Sequence, residues 1–348
     1  MDIQTHHSVS DETLPPPSKQ VEAPSSWRKI VAQYQQPCLK KSIWQITNTV
    51  IPYIGLWALM YFTMTVSWPL TIALAILAGL FLVRVFIIFH DCGHGSYFRS
   101  KKANHIVGFI SGLLTLTPYR HWRWQHAVHH GTSGNLDQRG IGDVWTMTVN
   151  EYLAAPRWER FCFRLTRNPF VLFGLIPLGL FLFYQRVAYT NASKLDKRSV
   201  SAMNATILVY AIGMSAIFGF RNYLLMQLTV TAVAGTLGVW LFYVQHQFET
   251  TLWDKNEDWD LHEAALHGSS HYDLPAVLRW FTGNIGIHHV HHLYSRIPFY
   301  RLPEVLRDHQ ELVDQSRMTI WESFKCASLD LWDEKSRRLV SFRTARGL

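Results

Sequence analysis

Residues 68–89, WPLTIALAILAGLFLVRVFIIF, decide the fold, because this run of sequence carries a single charge, Arg84. A bilayer core about 30 Å thick needs roughly 20 helical residues, so the run is long enough to cross a membrane. The preceding run at 49–67, TVIPYIGLWALMYFTMTVS, has no charged residue. The two runs meet at Trp68-Pro69 without a polar linker, which predicts a helical hairpin in a membrane.

Residues 203–220 and 223–244 predict a second hairpin, which turns at Arg221-Asn222. Two further apolar runs are shorter. Residues 106–117 are too few to cross, and residues 169–184 have arginines or lysines on both flanks, which places both of their ends on the cytoplasmic side. A segment with both ends on one side is interfacial or re-entrant.

Together these runs predict an all-α integral membrane protein with four transmembrane helices arranged as two hairpins. Interfacial or re-entrant helices and a cytoplasmic helical cap, formed by residues 90–202 and 245–348, complete the predicted architecture. Basic flanks place both termini and the long loops in the cytoplasm. We assign residues 1–30 to a flexible tail, since residues 1–26 are polar and contain four prolines. Residues 31–348 form one membrane domain, and no signal peptide precedes it.

Composition excludes several other classes of protein. The 348 residues include 17% charged and 14% aromatic residues, which argues against a disordered or fibrous chain. A net charge of +8 would indicate a nucleic-acid partner for a soluble protein. In a membrane protein the same surplus marks cytoplasmic loops, so we predict no nucleic-acid partner. The four scattered cysteines form no Cys-x-x-Cys pair and are predicted to be reduced.

Histidine is over-represented, with 18 residues, and many of these lie in three groups that follow the apolar runs. His90 and His94 are four positions apart, while HAVHH at 126–130 and HHVHH at 288–292 share the spacing His-x-x-His-His. Imidazoles at such spacings lie on one face of a helix and can bind one metal. Eight of them exceed the three or four of a zinc site, which predicts a pair of metal ions. Iron, zinc, copper and nickel all suit imidazole.

The order HxxxH, HxxHH, HxxHH resembles the three histidine boxes of the membrane fatty acid desaturases. From about residue 30 to its end the chain is similar to the bacterial acyl-lipid desaturases. The stretches that carry this likeness are FIIFHDCGHGSYF, HWRWQHAVHH, SGNLDQRGIGDVWT, RNPFVLFG, VWLFYVQHQFE, GSSHYDLP and WFTGNIGIHHVHHL. The resemblance implies a non-haem di-iron centre that uses dioxygen to remove two hydrogens from an unactivated methylene pair of an acyl chain.

The same resemblance implies nine metal ligands. Eight belong to the boxes, and His246, at the end of the fourth apolar run, is added through the resemblance alone. His289 falls at an intervening position and is not predicted to be a ligand, while His267 and His271 depart from the family pattern and their roles are open. The predicted ligands are His90, His94, His126, His129, His130, His246, His288, His291 and His292.

Three polar residues are candidates for orienting this site, and a fourth would stand behind two of them. A ligating histidine usually donates its second N–H to a carboxylate or carbonyl, and Asp91 and Asp143 could accept it, with Glu249 behind them. Solvated charge or helix capping is the alternative for these carboxylates. Asn284 stands four residues before His288, so it would share a helix face with that ligand and either hold a metal-bound water or act as a cap.

Two other features near the boxes carry expectations. Arg84 is an intramembrane charge and therefore a functional hypothesis, and its side chain is expected to reach the headgroup region. The aromatic-rich stretch with Tyr119, His121, Trp122 and Trp124 is expected to form an interfacial belt. His121, one turn before the second box, could instead support the metal ligands.

Neither a Gly-x-Gly-x-x-Gly nucleotide loop nor a His-Pro-Gly-Gly haem signature occurs in the sequence, so electrons must come from a separate carrier. For bacterial relatives this implies ferredoxin or flavodoxin, which a basic cytoplasmic face would attract. The implied substrate is an acyl chain, preferably of membrane phospholipid, which enters from the bilayer. The implied location is the bacterial inner membrane. The position of the double bond (Δ5, Δ9 or Δ12) and the oligomeric state stay open.

Two other functions compete with desaturation. A di-iron hydroxylase or ketolase would share the histidine boxes, although the stretches GNLDQRG and GSSHYDLP favour the desaturase. A metal transporter would bury its polar ligands within the spans, whereas the boxes here lie near the cytoplasmic ends of the apolar runs.

Overall fold

The computed structural model describes residues 27–190 and 192–345, and this part of the chain is mostly helical, as predicted. Residues 1–26, most of the predicted tail, lie outside the described residues. Residues 27–30, which we also assigned to the tail, belong to a short helix in which Trp27 is buried.

Sixteen α-helices occur in the described residues: α1 (Trp27–Val31), α2 (Leu39–Thr63), α3 (Trp68–His94), α4 (Lys101–Leu114), α5 (Tyr119–Thr132), α6 (Val149–Ala154), α7 (Arg157–Arg167), α8 (Ile176–Leu182), α9 (Lys194–Phe218), α10 (Phe220–His246), α11 (Leu261–His267), α12 (Ala276–Phe281), α13 (His288–Leu293), α14 (Leu302–Asp308), α15 (Ile320–Cys326) and α16 (Phe342–Ala345). A π-helical turn (Val171–Leu175) precedes α8, and a 3-10 turn (Tyr184–Arg186) follows it.

Five short strands join the C-terminal segment to loops near the histidine boxes. Strand β2 pairs in parallel with β3, and β4 lies between β1 and the antiparallel β5. The strands are β1 (Met147–Thr148), β2 (His271–Asp273), β3 (Arg317–Thr319), β4 (Leu331–Asp333) and β5 (Arg338–Val340).

Both predicted hairpins are present, but the second turns earlier than expected. In the first, α2 ends at Thr63 and α3 begins at Trp68. In the second, α9 ends at Phe218 and the chain reverses at Gly219, whose φ of 79° lies in the left-handed region that glycine tolerates. The predicted turn at Arg221-Asn222 is therefore wrong, because both residues already belong to the first turn of α10.

Within the part of the chain that the structure describes, three helices are long and apolar enough to cross a membrane, namely α3, α9 and α10. Helix α7 and the segment Val171–Arg186 meet at a 66° bend, which is the geometry of a broken span or a re-entrant loop. Helix α2 has 25 residues but is not one of the three. Helix α4, with 14 residues, rises only about 21 Å and agrees with the run that we considered too short to cross. The count of four spans stays a prediction.

Helix α3 packs against both α2 and α10, and its contact with α10 is unusually close. A Cβ built on Gly79 would lie 2.6 Å from Cβ of Val233 on α10, so only a residue without a side chain fits there. This close packing fixes the ends of α3 and α10 side by side, where His90, His94 and His246 lie.

Arg84 does not reach the headgroup region, so that expectation is wrong. Its side chain is buried, and its Nε donates a hydrogen bond of 2.9 Å to Oγ1 of Thr49 on α2. Its other two nitrogens bond the Gln45 side chain and the backbone carbonyl of Trp280, whose ring lies 4.1 Å beneath the guanidinium. The arginine therefore links α2, α3 and α12 inside the protein.

Candidate metal centre

The three histidine boxes and His246 meet at one place, supplied by the ends of α3 and α10 together with α5 and α13. Helix α13 can approach because Gly286, just before it, lies against β2. A Cβ at that position would be 2.4 Å from the backbone oxygen of Tyr272. The backbone oxygen of Ser270 then accepts hydrogen bonds from the backbone N–H groups of His288 and His289, which fixes the start of α13.

Eight of the nine predicted ligands form two groups, and within each group the ligand atoms lie within 4.8 Å of one another. Nε2 of His288 lies 3.0 Å from Nε2 of His246, which attaches His288 to the second group. The second box is divided, because His126 and His130 face one group and His129 faces the other. The first group comprises His90, His94, His126, His130 and His291, and the second comprises His129, His246 and His292.

The arrangement of nitrogen atoms fits bound metal. Nε2 of His130 lies 3.2 Å from Nε2 of His126 and 3.1 Å from Nε2 of His291, so three imidazole nitrogens converge on one point. The buried Nε2 atoms of His94 and His292 have no hydrogen-bond partner among the described residues. A cation within each group would satisfy the nitrogens of that group, and imidazole is a preferred ligand of iron, zinc, copper and nickel.

Burial favours the neutral form of five of these imidazoles. Loss of solvation lowers the pKa of each of the five well below the ordinary value, and neighbouring histidines lower it further. A neutral imidazole is the form that binds a metal ion. The groups with this shift are His126, His130, His288, His291 and His292.

Two of the three polar candidates contact a box histidine. Oδ1 of Asp143 lies 2.6 Å from Nδ1 of His129, and Oδ1 of Asp91 lies 3.2 Å from Nδ1 of His90. The backbone carbonyl of Gly268 is 3.2 Å from Nδ1 of His246. With the proton on Nδ1, each contact is a hydrogen bond, and Nε2 is left to face the other histidines.

The third polar candidate is placed differently from our prediction. Asn284 lies between α12 and α13 with a φ of 57°, so it does not share a helix face with His288, and its Nδ2 donates to the backbone oxygen of Phe299. The predicted position of Glu249 is also wrong. Its side chain is exposed and lies 3.5 Å from Arg338, so it does not stand behind Asp91 or Asp143.

Three further histidines lie outside both groups. Nε2 of His289 is 2.9 Å from the backbone oxygen of Leu312, and its ring lies 5.5 Å from that of His271. Nδ1 of His271 is 2.6 Å from the backbone oxygen of Val313. Nε2 of His267 is 3.5 Å from Glu263.

The expected interfacial belt is wrong for the residues nearest the second box. Tyr119 and His121 are buried, and Trp122 stacks on His126 with 4.4 Å between the ring centroids. The separation of four positions between Trp122 and His126 is the signal that could have placed this indole beside the site.

An apolar cavity of about 760 Å³ lies between α3, α8 and α10 and extends to the histidines. The residues that line it could not be predicted from the sequence. Trp122, His90, His126 and His288 form part of its wall. Most of the remaining wall is aliphatic or aromatic, with Leu82, Phe86, Ile176, Phe181 and Phe242 as examples.

Comparison with known proteins agrees with this geometry. Residues 66–324 match the family model described as fatty acid desaturase. A fatty acid desaturase of Bacillus subtilis (strain 168) is 45% identical over 318 residues, which cover 91% of this chain and 90% of the relative. This chain belongs to the fatty acid desaturase family. As a member of that family it is an oxidoreductase of lipid metabolism, and the resemblance seen in the boxes is confirmed.

More distant relatives of this desaturase come from Synechocystis sp. An sn-1 oleoyl-lipid 12-desaturase is 26% identical over 268 residues, covering 72% of this chain and 70% of the relative. An sn-1 acyl-lipid omega-3 desaturase (ferredoxin) is 26% identical over 336 residues, covering 90% of each chain. The family and the three candidate spans together indicate a membrane protein.

Proposed function

We propose that this desaturase introduces a cis double bond into an acyl chain that is esterified in membrane lipid. The observation that carries the proposal is the apolar cavity whose wall includes His90, His126 and His288. A saturated chain offers no polar group to bind, so apolar walls of matching shape must hold it, and the volume lies in the range of small-molecule sites. The acyl-lipid substrates named for the Synechocystis relatives support the same class.

We propose that the nine histidines hold two iron ions, one for each group, with His288 joining the second. Imidazole ligands carry no charge of their own and would leave a bound iron pair strongly positive. When bound, the iron supplies the redox chemistry that activates dioxygen. The chain's own residues orient and shield the site. Asp91, Asp143 and the carbonyl of Gly268 fix the imidazole tautomers, and burial excludes bulk water.

Electrons for this reaction come from a separate acidic carrier, for which ferredoxin or flavodoxin is our proposal. The name of one Synechocystis relative includes ferredoxin, and the net charge of +8 would speed association with an acidic protein. Purified protein in lipid vesicles should form product when either reduced carrier is added, and the rate should fall as salt is raised. A rate that is independent of both carriers would contradict this.

We also propose four spans (α2, α3, α9 and α10) in a bacterial inner membrane, with the termini and the histidine groups in the cytoplasm. Cys38, at the start of α2, is exposed and reports this orientation. In a Cys162→Ser background, a membrane-impermeant maleimide should label Cys38 only after cells are permeabilised. Labelling of intact cells would place that end outside.

The reaction itself is tested by expression in a bacterium whose lipids lack the product, followed by gas chromatography and mass spectrometry of fatty acid methyl esters. We expect new cis double bonds, and none with the His291→Ala variant at equal membrane abundance. New hydroxy or keto acids without new double bonds would show that the enzyme inserts oxygen and would overturn the proposal.

A further inference from the structure

Gln185 stands out in the wall of the apolar cavity because the oxygen of its buried amide has no hydrogen-bond partner among the described residues. It belongs to the 3-10 turn Tyr184–Arg186, is only 5% exposed and lines the cavity. Its Oε1 is buried and has no hydrogen-bond partner among the described residues. Buried polar groups nearly always have a partner, so an unsatisfied amide in an apolar wall points to a group that the protein itself does not provide.

The two other glutamines of this wall differ from Gln185. Nε2 of Gln125 lies 3.1 Å from Nε2 of His121, and Nε2 of Gln245 donates a hydrogen bond of 3.0 Å to the backbone oxygen of Ile285. Both amides are therefore occupied within the protein, and neither is a comparable binding group.

The backbone that carries Gln185 is held firmly. The neighbouring Arg186 bonds the backbone oxygen of Leu116 and the side chain of Asn204 on α9. Nδ2 of Asn204 donates back to the oxygen of Arg186 at 2.8 Å. These bonds fix the turn against α9, so the amide keeps its place in the wall.

A continuous aromatic wall leads from this turn to the first histidine group. Phe181, four positions before Gln185, lies 6.4 Å from Phe86, which lies 5.5 Å from Trp122. Trp122 in turn stacks on His126 at 4.4 Å. A chain in the cavity can therefore contact the turn at one point and the histidines at another.

We propose that the amide of Gln185 binds the ester carbonyl of the acyl lipid and thereby sets which carbons lie beside the histidines. The ester oxygens are the only polar atoms adjoining a saturated acyl chain, and they are acceptors only. The oxygen and the NH2 group of a glutamine amide can exchange places without a change of shape. With the amide turned in this way, the NH2 group takes the unpartnered position and donates to the ester oxygen. The double-bond position is then counted from the carboxyl end. This inference rests on the proposed function.

The test replaces Gln185 with Met, which has similar length and no hydrogen-bonding amide. Purified enzyme would be supplied with reduced ferredoxin and vesicles of a saturated phosphatidylglycerol. Dimethyl disulfide adducts of the products then show the bond position by mass spectrometry. We expect one positional isomer from the unaltered enzyme and a mixture of adjacent isomers from Gln185→Met, with several-fold less product. Gln33→Met, on an exposed turn, is the matched control and should keep one isomer.

A second arm uses a dialkyl ether phosphatidylglycerol, which lacks the carbonyl. The unaltered enzyme should lose positional selectivity on this lipid, and Gln185→Met should change nothing further.

If Gln185→Met gives the same single isomer and yield as the unaltered enzyme on the ester lipid, the amide holds only water and the proposal fails. If Gln185→Met does not accumulate, Gln185→Asn, whose amide is one methylene shorter, should alter the isomer ratio, and an unchanged ratio overturns the proposal. Absence of any double bond with all variants would instead reject the proposed function.

Discussion

Oδ1 of Asp143 lies 2.6 Å from Nδ1 of His129, although the two residues are 14 positions apart and His129 alone is on helix α5. The loop can approach the helix because Gly142 has no side chain and has a φ of 77°. A Cβ at this position would be 3.1 Å from the backbone oxygen of Gln125 and 3.1 Å from the Cβ of His129, both on α5. The carboxylate therefore fixes the ring of one proposed iron ligand.

Asp143→Asn should lower desaturation by roughly 10- to 100-fold, the usual effect of removing a carboxylate that orients a ligating histidine. The amide can present its NH2 to Nδ1 and so favours the wrong tautomer. Product is measured as unsaturated methyl esters at equal membrane abundance. Asp258→Asn, an exposed carboxylate with no such contact, is the control, and equal activity of the two variants would contradict the role of Asp143.

His291→Ala should abolish activity while the protein still inserts into the membrane, because His291 belongs to the first histidine group. His289→Ala should retain most activity, since its ring bonds the Leu312 oxygen away from both groups. The loss of that bond should lower the free energy of unfolding by about 1–3 kcal/mol. If His289→Ala were as inactive as His291→Ala, our assignment of the third box would be wrong.

Iron content gives a direct test of the two-group arrangement. Protein purified with ferrous iron should contain two iron ions per chain by elemental analysis, and His246→Ala should reduce this towards one, because the second group loses a central ligand. His267→Ala, outside both groups, should retain two. Zinc or copper in place of iron, without oxygen consumption, would favour metal transport.

Arg84→Met should destabilise the fold, because it removes the donor to the oxygens of Thr49, Gln45 and Trp280. The Thr49 hydroxyl is fully buried, and leaving one such acceptor without a donor costs about 1–3 kcal/mol. Arg84→Lys should not restore stability, since one ammonium cannot copy the planar fork of the guanidinium. Thermal unfolding in detergent, followed by circular dichroism, measures the effect. The exposed Arg221→Met is the control, and an unchanged melting temperature in Arg84→Met would contradict the linking role.

Gly79→Ala should lower the free energy of unfolding by about 1–3 kcal/mol, since the new methyl group would overlap Val233 and push α3 away from α10. Gly213→Ala on α9 has no heavy atom within 4 Å of the added Cβ, so it should be neutral or stabilising by up to about 1 kcal/mol. Comparing the melting temperatures of the two variants in the same thermal assay separates the effect of packing from that of helix propensity. Equal shifts in melting temperature would argue against close contact of α3 with α10.

Local sequence patterns were enough to predict much of the fold and the family. The apolar runs before His90 and before His246, the first with Arg84 as its single charge, predicted long helices, because a helix satisfies its own backbone hydrogen bonds within lipid. The spacing of the three boxes predicted that their imidazoles would lie together. The position of the second turn could not be predicted from the pattern of apolar residues. The chain reverses at Gly219 because of that residue's backbone conformation, whereas our prediction followed the charge at Arg221.

Periodicity and composition by themselves thus determined that the chain is helical, enters a membrane and carries three histidine boxes, because those properties are read from neighbours along one helix. Tertiary structure alone decided that His126 and His129 serve different groups, that Arg84 turns inward, and that Asp143 rather than Glu249 approaches a box histidine. The cavity wall with Gln185 is likewise a product of assembly. Each of these depends on contacts between residues distant in sequence, and their geometry is set by how closely the helices and loops pack.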